Sequence, residues 1–430
     1  MTSRLDAGVR NSVADETEII WIEHRRSRVA IGLEAAEAYR VRERTVQVRV
    51  VERGRVGCYR TGDTQLGEMD HAVRMALGHA RVAPRTQPPP LPGEEQSLPK
   101  RRPMHDRALA RLDPEGARRW LRGQCEDQDA AILEWTEGQV VVCNSRGLRR
   151  WSRATTVYLQ VRSGQGAGAG LATDAARTLD RLGAPGVFAR ARRRRTGSEV
   201  GQGLPTTGAL VLAPEATAEL VALLNHCSLG AHAYREGGSF LREHTGVQVF
   251  DQRLTLRDDG TDASGLPFGY DLEGRSKRAI LLVEAGVPRT PALDTWSAAE
   301  FGLEPTAHAV GAGEALALNL FLEPGDSSEE QLLRAAGDGV WISRLEGVEC
   351  YDPLRVLVRA RARGVRRIAG GEITHPLPPL IWEDSLLRVF SHLGAVGRTT
   401  ARRPSSDGLL GGISAPAMLV ADAPGLRPGG

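Results

Sequence analysis

A hydrolytic zinc ion is held most simply by two histidines on one helix face, with a glutamate between them as the base. Neither H-E-x-x-H nor H-E-x-x-x-H occurs in this chain. The nearest candidate is the helix-forming run Ala218 to Cys227, which ends in His226 and Cys227. Neighbouring residues on a helix face different directions, so these two do not chelate one ion easily. His232 and His244 would have to converge with them through an irregular loop. No metal ligand and no catalytic residue is assigned. Gly164-x-Gly166-x-x-Ala169 superficially fits a dinucleotide-binding fingerprint, but no acid-ended strand follows at the required distance. The glycines are expected to form a mobile loop. Gly237-Gly238-Ser239-Phe240-Leu241 lacks the final glycine of a nucleophile elbow. Ser97 and Lys100 are spaced like a catalytic S-x-x-K pair, but they lie among prolines, where no helix can align them.

The elements around these residues can be read from periodicity. Val46, Val48 and Val50 alternate with Gln47 and Arg49, which predicts a half-buried strand. Met69, Val73, Ala76, Leu77 and Ala80 predict a helix over 67–81, and another is expected over 114–124. Residues 84–103 are rich in proline and read as a long exposed loop. Two short strands, 131–136 and 139–144, are expected to join through Glu137-Gly138, and a strand follows at 155–162. A helix is expected over 171–183 after the glycine-rich stretch. The arginine run 190–195, followed by glycines, reads as a solvated linker over 187–207. This divides the chain into domains at 1–200 and 208–430. The second domain opens with a strand at 208–213 and a helix begun by Pro214 and Glu215. Strands are expected at 247–257, 277–284, 314–323, 339–344, 354–361, 364–372 and 416–421. Ser327 and Glu330 are spaced as a capping box. The fold class is α+β: a mixed N-terminal domain followed by a β-rich, barrel-like or sandwich-like domain.

Composition narrows the function. The chain has 56 basic and 53 acidic residues, so it lacks the basic excess of a dedicated nucleic-acid binder. No apolar run reaches about 18 residues, so no spanning helix is expected, and the polar N-terminus lacks a secretory core. The five cysteines are widely spaced with no C-x-x-C, which favours reduced thiols in the cytoplasm.

Several segments, in order, resemble the TldD/PmbA family. Asn144-Ser145-Arg146-Gly147 is similar to its N-S-x-G turn, and Leu254 to Asp259 to its L-T-L-x-D-D strand. Tyr270-Asp271-Leu272-Glu273-Gly274 is similar to F-D-x-E-G, and Leu281 to Val287 to L-I-x-x-G-x-L. Asn319 to Gly325 is similar to N-x-x-x-x-P-G, and Gly370 to Ile373 falls on the x-x-G-E strand. Asp407-Gly408 and Ser414-Ala415-Pro416 resemble the C-terminal end. Ala213-Pro214-Glu215-Ala216 opens the helix that carries zinc ligands in the TldD branch. That motif is missing here, and no cysteine follows Cys350.

The chain therefore resembles the TldE (PmbA) branch. The resemblance implies a non-catalytic subunit that holds no cofactor itself and pairs with a TldD-like zinc subunit. It also implies that the pair cleaves small or unfolded peptides, including natural-product precursors. An extended peptide could lie on a sheet edge near the partner's zinc. Asp271, Glu273 and Asn319 are the candidates for shaping that groove or the partner contact. Asp271 and Glu273 could equally satisfy backbone donors in their turn, and Asn319 is expected to face away from its leucine neighbours, toward solvent. Two other readings stay open: a diverged maturation enzyme acting alone, and a scaffold that only binds peptide or protein. A homodimer of the isolated chain also stays open.

Overall fold

A computed structural model describes residues 2–32, 38–62, 68–93, 104–201, 208–422 and 425–428. Ser97 and Lys100, the rest of the proline-rich stretch over 94–103, and residues 202–207 of the expected linker lie outside the described residues. Strand outweighs helix, 42% to 24%.

The first half builds a six-stranded antiparallel sheet. Its strands are β1 (Glu16–Ile31), β2 (Ala38–Glu52), β3 (Arg55–Thr61), β4 (Asp129–Asn144), β5 (Arg149–Ser163) and β6 (Gly170–Ala176), in the order β3-β2-β1-β4-β5-β6. The helices α1 (Thr2–Arg10), α2 (Glu68–Val82), α3 (Arg107–Arg111), α4 (Pro114–Arg122) and α5 (Ala184–Arg193) accompany it. Alternation explains the strands: Val46, Val48 and Val50 pack with Met69, Val73 and Leu77 of α2 in one core. A second core joins Leu133, Trp135, Val157 and Leu159 to Val187 and Phe188 of α5.

Four expectations change here. β4 is one strand through Glu137-Gly138, and no hairpin forms. A Cβ on Gly138 would lie 2.6 Å from the Glu23 carbonyl oxygen, so this glycine serves the close approach of β1. Residues 170–176 form β6 in place of a helix, because pairing with β5 overrides alanine's helical preference. The glycine-rich stretch before it holds a short 3-10 turn, Gly166–Gly168, with Gly168 buried. The arginine run is not a solvated linker. Arg190, Arg192 and Arg193 form the last turn of α5, where basic residues suit the helix dipole, and Arg194 is fully buried.

The second half builds a twelve-stranded sheet that does not close into a barrel. Its first strands are β7 (Ala209–Leu212), β8 (Leu256–Asp258), β9 (Ile280–Glu284) and β10 (Val287–Pro288). A separate two-stranded ribbon, β11 (Ala309–Gly311) and β12 (Glu314–Ala315), precedes β13 (Asn319–Leu322). The long strands β14 (Gly339–Asp352) and β15 (Leu357–Ala369) follow. The last are β16 (Glu372–Pro376), β17 (Leu380–Ser385), β18 (Leu393–Pro404), β19 (Gly412–Val420) and β20 (Leu426–Pro428). The main path is β10-β9-β8-β13-β19-β7-β14-β15-β17-β20, with β16 on β15 and β18 on β19. Pro214 starts α6 (Pro214–Leu224), which lies against β14 and β19. Its Ala216, Leu220 and Leu224 share a core with Leu212, Ile342 and Met418.

Of the strand expected over 247–257, only its last residues enter β8, and the one over 314–323 breaks into β12 and β13. The two expected over 354–361 and 364–372 are largely one strand, β15. The capping box uses Ser328 and Gln331, one residue beyond the expected pair. Among the described residues, no helix is long and apolar enough to cross a membrane.

Candidate functional site

The three residues singled out in the sequence are all buried, and one of them, Glu273, reaches across from the second half to the first. The turn Tyr270–Gly274 closes at Gly274, which has a positive φ of 78°. Asp271 uses its carboxylate to hold this turn, accepting the backbone N–H of Glu273 at 3.0 Å, Arg275 at 2.9 Å and Ala309 at 3.0 Å. The reading of Asp271 as a receiver of backbone donors fits this geometry. Glu273 instead points across the junction. It accepts from Arg49 of β2 at 2.9 Å and from the Thr295 backbone N–H at 2.9 Å. Arg49 also contacts Glu18 of β1 at 2.9 Å. Asn319 is buried and does not face solvent. Its amide accepts from the Leu266 N–H at 2.9 Å and donates to the Asp259 carbonyl.

Beside them, Asp258 lies 3.3 Å from Lys277 and 3.0 Å from His308, and it accepts the Asn319 backbone N–H at 2.7 Å. Burial works to raise the Asp258 pKa, but Lys277 and His308 outweigh it and hold the carboxyl well below the usual range. Burial pushes Glu18 up to about 7 against the pull of Arg49. Burial and the neighbouring Glu273 push Asp271 up to about 7.

Sequence reasoning missed the basic members of this junction. Arg49 was placed on the polar face of a half-buried strand, yet it is only 7% exposed because the second half covers that face. Arg177, just after β6, is also buried. It donates to the carbonyls of Leu266 at 2.9 Å, Pro267 at 2.8 Å and Leu409 at 2.9 Å. Nothing in the local sequence marks it, because all three acceptors come from distant segments.

A second region is open. β7 pairs with β14 only from Gly339 to Ile342. The Ala213 N–H then takes the Ile342 carbonyl at 2.9 Å, and the chain turns into α6. Beyond Ile342, β14 has β15 on one side and, among the described residues, no strand on the other. Ser343 and Arg344 border a cavity of ≈ 300 Å³ between the halves, faced by Gln160 and Leu171. A second cavity of ≈ 210 Å³ adjoins it through the shared residues Gln160, Leu171 and Arg344. Glu215 and Glu219 of α6 line this second part. The two adjoining cavities, taken together as a cleft, lie beside a strand edge that no strand covers among the described residues. Such an edge offers backbone N–H and C=O groups to an extended chain, whatever its sequence.

The donor set of α6 does not fit a zinc ion. Glu215 accepts the Thr173 N–H at 2.8 Å and lies 3.2 Å from Arg194. Glu219 lies 3.1 Å from Arg403, although burial raises its pKa. Among the described residues, no imidazole accompanies them. His226 is exposed in the irregular turn Asn225–Leu229, as is His232 in the next helix. Among the described residues, no three or more His, Cys, Asp or Glu side chains gather to hold a metal.

The same architecture occurs in solved structures. TldE from Thermococcus kodakarensis is 18% identical, with all of both chains covered and a TM-score of 0.82. A proposed modulator of a DNA gyrase from Thermotoga maritima is 19% identical, with 99% of each chain covered and a TM-score of 0.81. A similarly described protein from Bacteroides thetaiotaomicron is 16% identical, covering 99% of this chain and 98% of its own, with a TM-score of 0.78. No curated protein matches the chain. The model of the PmbA/TldA metallopeptidase C-terminal domain matches residues 205–424, just over half of the chain and the whole span from β7 to β19. This protein belongs to the PmbA/TldD metallopeptidase family.

Proposed function

We propose that this chain is the peptide-binding, non-catalytic subunit of a TldE-like kind, working with a TldD-like zinc subunit that performs the cleavage. The observation that carries this reading is the pairing of a free strand edge with a helix that offers no metal ligands. The β14 edge and the cleft beside it suit an extended peptide. The two carboxylates that α6 turns toward the cleft are each held by an arginine. On this reading the metal-activated water is supplied by the zinc subunit. Glu273 contributes by tying the second half to Arg49 of the first, and Asp271 and Asn319 by fixing the second-half segments beside it. Glu273, Asp271 and Asn319 are all buried within this chain, which favours a supporting role over direct partner contact.

The test is reconstitution. The chain is purified alone and together with a TldD-like protein from the same genome, and zinc content and hydrolysis of a short unstructured peptide are measured. A stable complex that cleaves, with an inactive lone chain, is the expected result. Stoichiometric zinc and peptidase activity in the lone chain would overturn the proposal.

A further inference from the structure

The two parts of the cleft differ in charge. The ≈ 300 Å³ part is lined by Arg162, Arg344 and Arg363 and by no acidic residue. Among the described residues, Glu346 is the one carboxylate that reaches these arginines, contacting Arg344 and lying 2.9 Å from Arg363. Arg366 lies directly behind the wall and is fully buried. It donates to Ser343 Oγ at 2.8 Å, to the Gly364 carbonyl at 2.9 Å and to the Ala169 carbonyl. All three of these residues line the same cavity. Among the described residues, the Arg366 Nε has no hydrogen-bond partner and no carboxylate lies in ion-pair contact with Arg366, although Glu329 acts on it from farther away. Burial and the nearby Arg194 lower its pKa to about 10, which leaves it charged at neutral pH. The buried cation and the three arginines at the cavity surface thus outnumber the carboxylates that act on them, Glu346 beside Arg344 and Arg363 and Glu329 on the Arg366 side.

The strand edge gives this charge a direction. β7 occupies the edge of β14 up to Ile342. A peptide laid on the free edge must therefore end or turn away at Ser343, where the arginines stand. We propose that the arginine-lined end of the cleft takes the C-terminal carboxylate of a peptide, whose chain runs along the free edge of β14. This rests on the peptide-binding reading above. A guanidinium fork matches a carboxylate with two parallel hydrogen bonds, and a terminus offers that group without a sequence requirement.

The experiment uses the full chain and three versions of one short, extended peptide with a fluorescent label at its N-terminus. One has a free C-terminus, one is C-terminally amidated, and one is amidated but carries an internal glutamate. Fluorescence anisotropy should show the free acid binding at least ~10-fold more tightly than both amides, with the gap narrowing as salt rises. The R344Q/R363Q double variant should bind all three alike, and R344K/R363K should restore part of the preference. Circular dichroism on each variant confirms that the fold is retained. Equal binding of acid and amide would overturn the carboxylate site while leaving peptide binding in place. If the amidated glutamate peptide matched the free acid, the assignment to a terminus would fail. If no version bound, the peptide-binding reading itself would fall.

Discussion

The junction and the cleft are both rich in arginine, yet they use it in opposite ways. At the junction, Arg49 is shared between Glu18 and Glu273, and Arg177 is satisfied by backbone carbonyls and the Thr156 hydroxyl. Both are closed to water, and each buried cation has acceptors fixed by two different parts of the chain. At the cleft, Arg344 and Arg363 are 42% and 40% exposed and share one glutamate. Arg366, behind them, has neutral acceptors only. A buried charge with matched partners fixes geometry, because removing one partner strands the other. A half-exposed charge in excess costs little to keep, and it leaves binding capacity unused in the folded chain.

The largest expected effect would come from breaking the junction. Replacing Arg177 with leucine leaves the carbonyls of Leu266, Pro267 and Leu409 without their donor. A loss of roughly 3–5 kcal/mol in unfolding free energy is expected from denaturant titration. A loss below about 1 kcal/mol would mean that water replaces the guanidinium and that the junction is not the closed region described.

A pH series should sharpen the comparison next. Glu18 and Asp271 titrate near 7 when folded, well above ordinary carboxylates, so the native state binds more protons than the unfolded chain between roughly pH 4 and pH 7. Stability from these groups therefore falls as pH rises through that window. Asp258 has the opposite sign: its depressed pKa gives stability that is lost as pH drops below its unfolded value near 3.8. The unfolding midpoint should peak near about pH 4 and decline toward about pH 7, and Glu18→Gln should flatten the decline. A midpoint that climbs steadily from about pH 5 to about pH 8 would contradict the assignment.

The smallest effect belongs to the cleft. Glu346→Gln removes the carboxylate that bridges Arg344 and Arg363, both partly exposed. Stability should change by no more than ~1 kcal/mol, while affinity for a free-acid peptide rises. A destabilisation as large as that of Arg177→Leu would erase the distinction between the two regions.

How much of this was legible in the sequence depended on how far apart the interacting residues lie. α2 and β2 follow from local periodicity, and the observed elements fall close to the expected ones. Ser-x-x-Glu spacing located a cap but missed its register by one residue, since Ser327 and Ser328 are equally good caps on paper. Asp271, Glu273 and Asn319 stand out in the family-like motifs, and all three are buried, Asp271 beside Glu273 and Asn319 beside Asp258. Their partners did not stand out, because Arg49 and Thr295 belong to segments far from that turn. The helix expected over 171–183 failed for the same reason: β5 decides its conformation from outside the window.

The order of residue types by itself determined the α+β character, the family and the lack of a zinc-binding pattern on α6, since each depends on which side chains occur and at what spacing. Tertiary structure alone decided which arginines are neutralised and which are left facing a cavity. Charge pairing depends on distance and burial in three dimensions, and both are set by segments that meet only after the two sheets have packed.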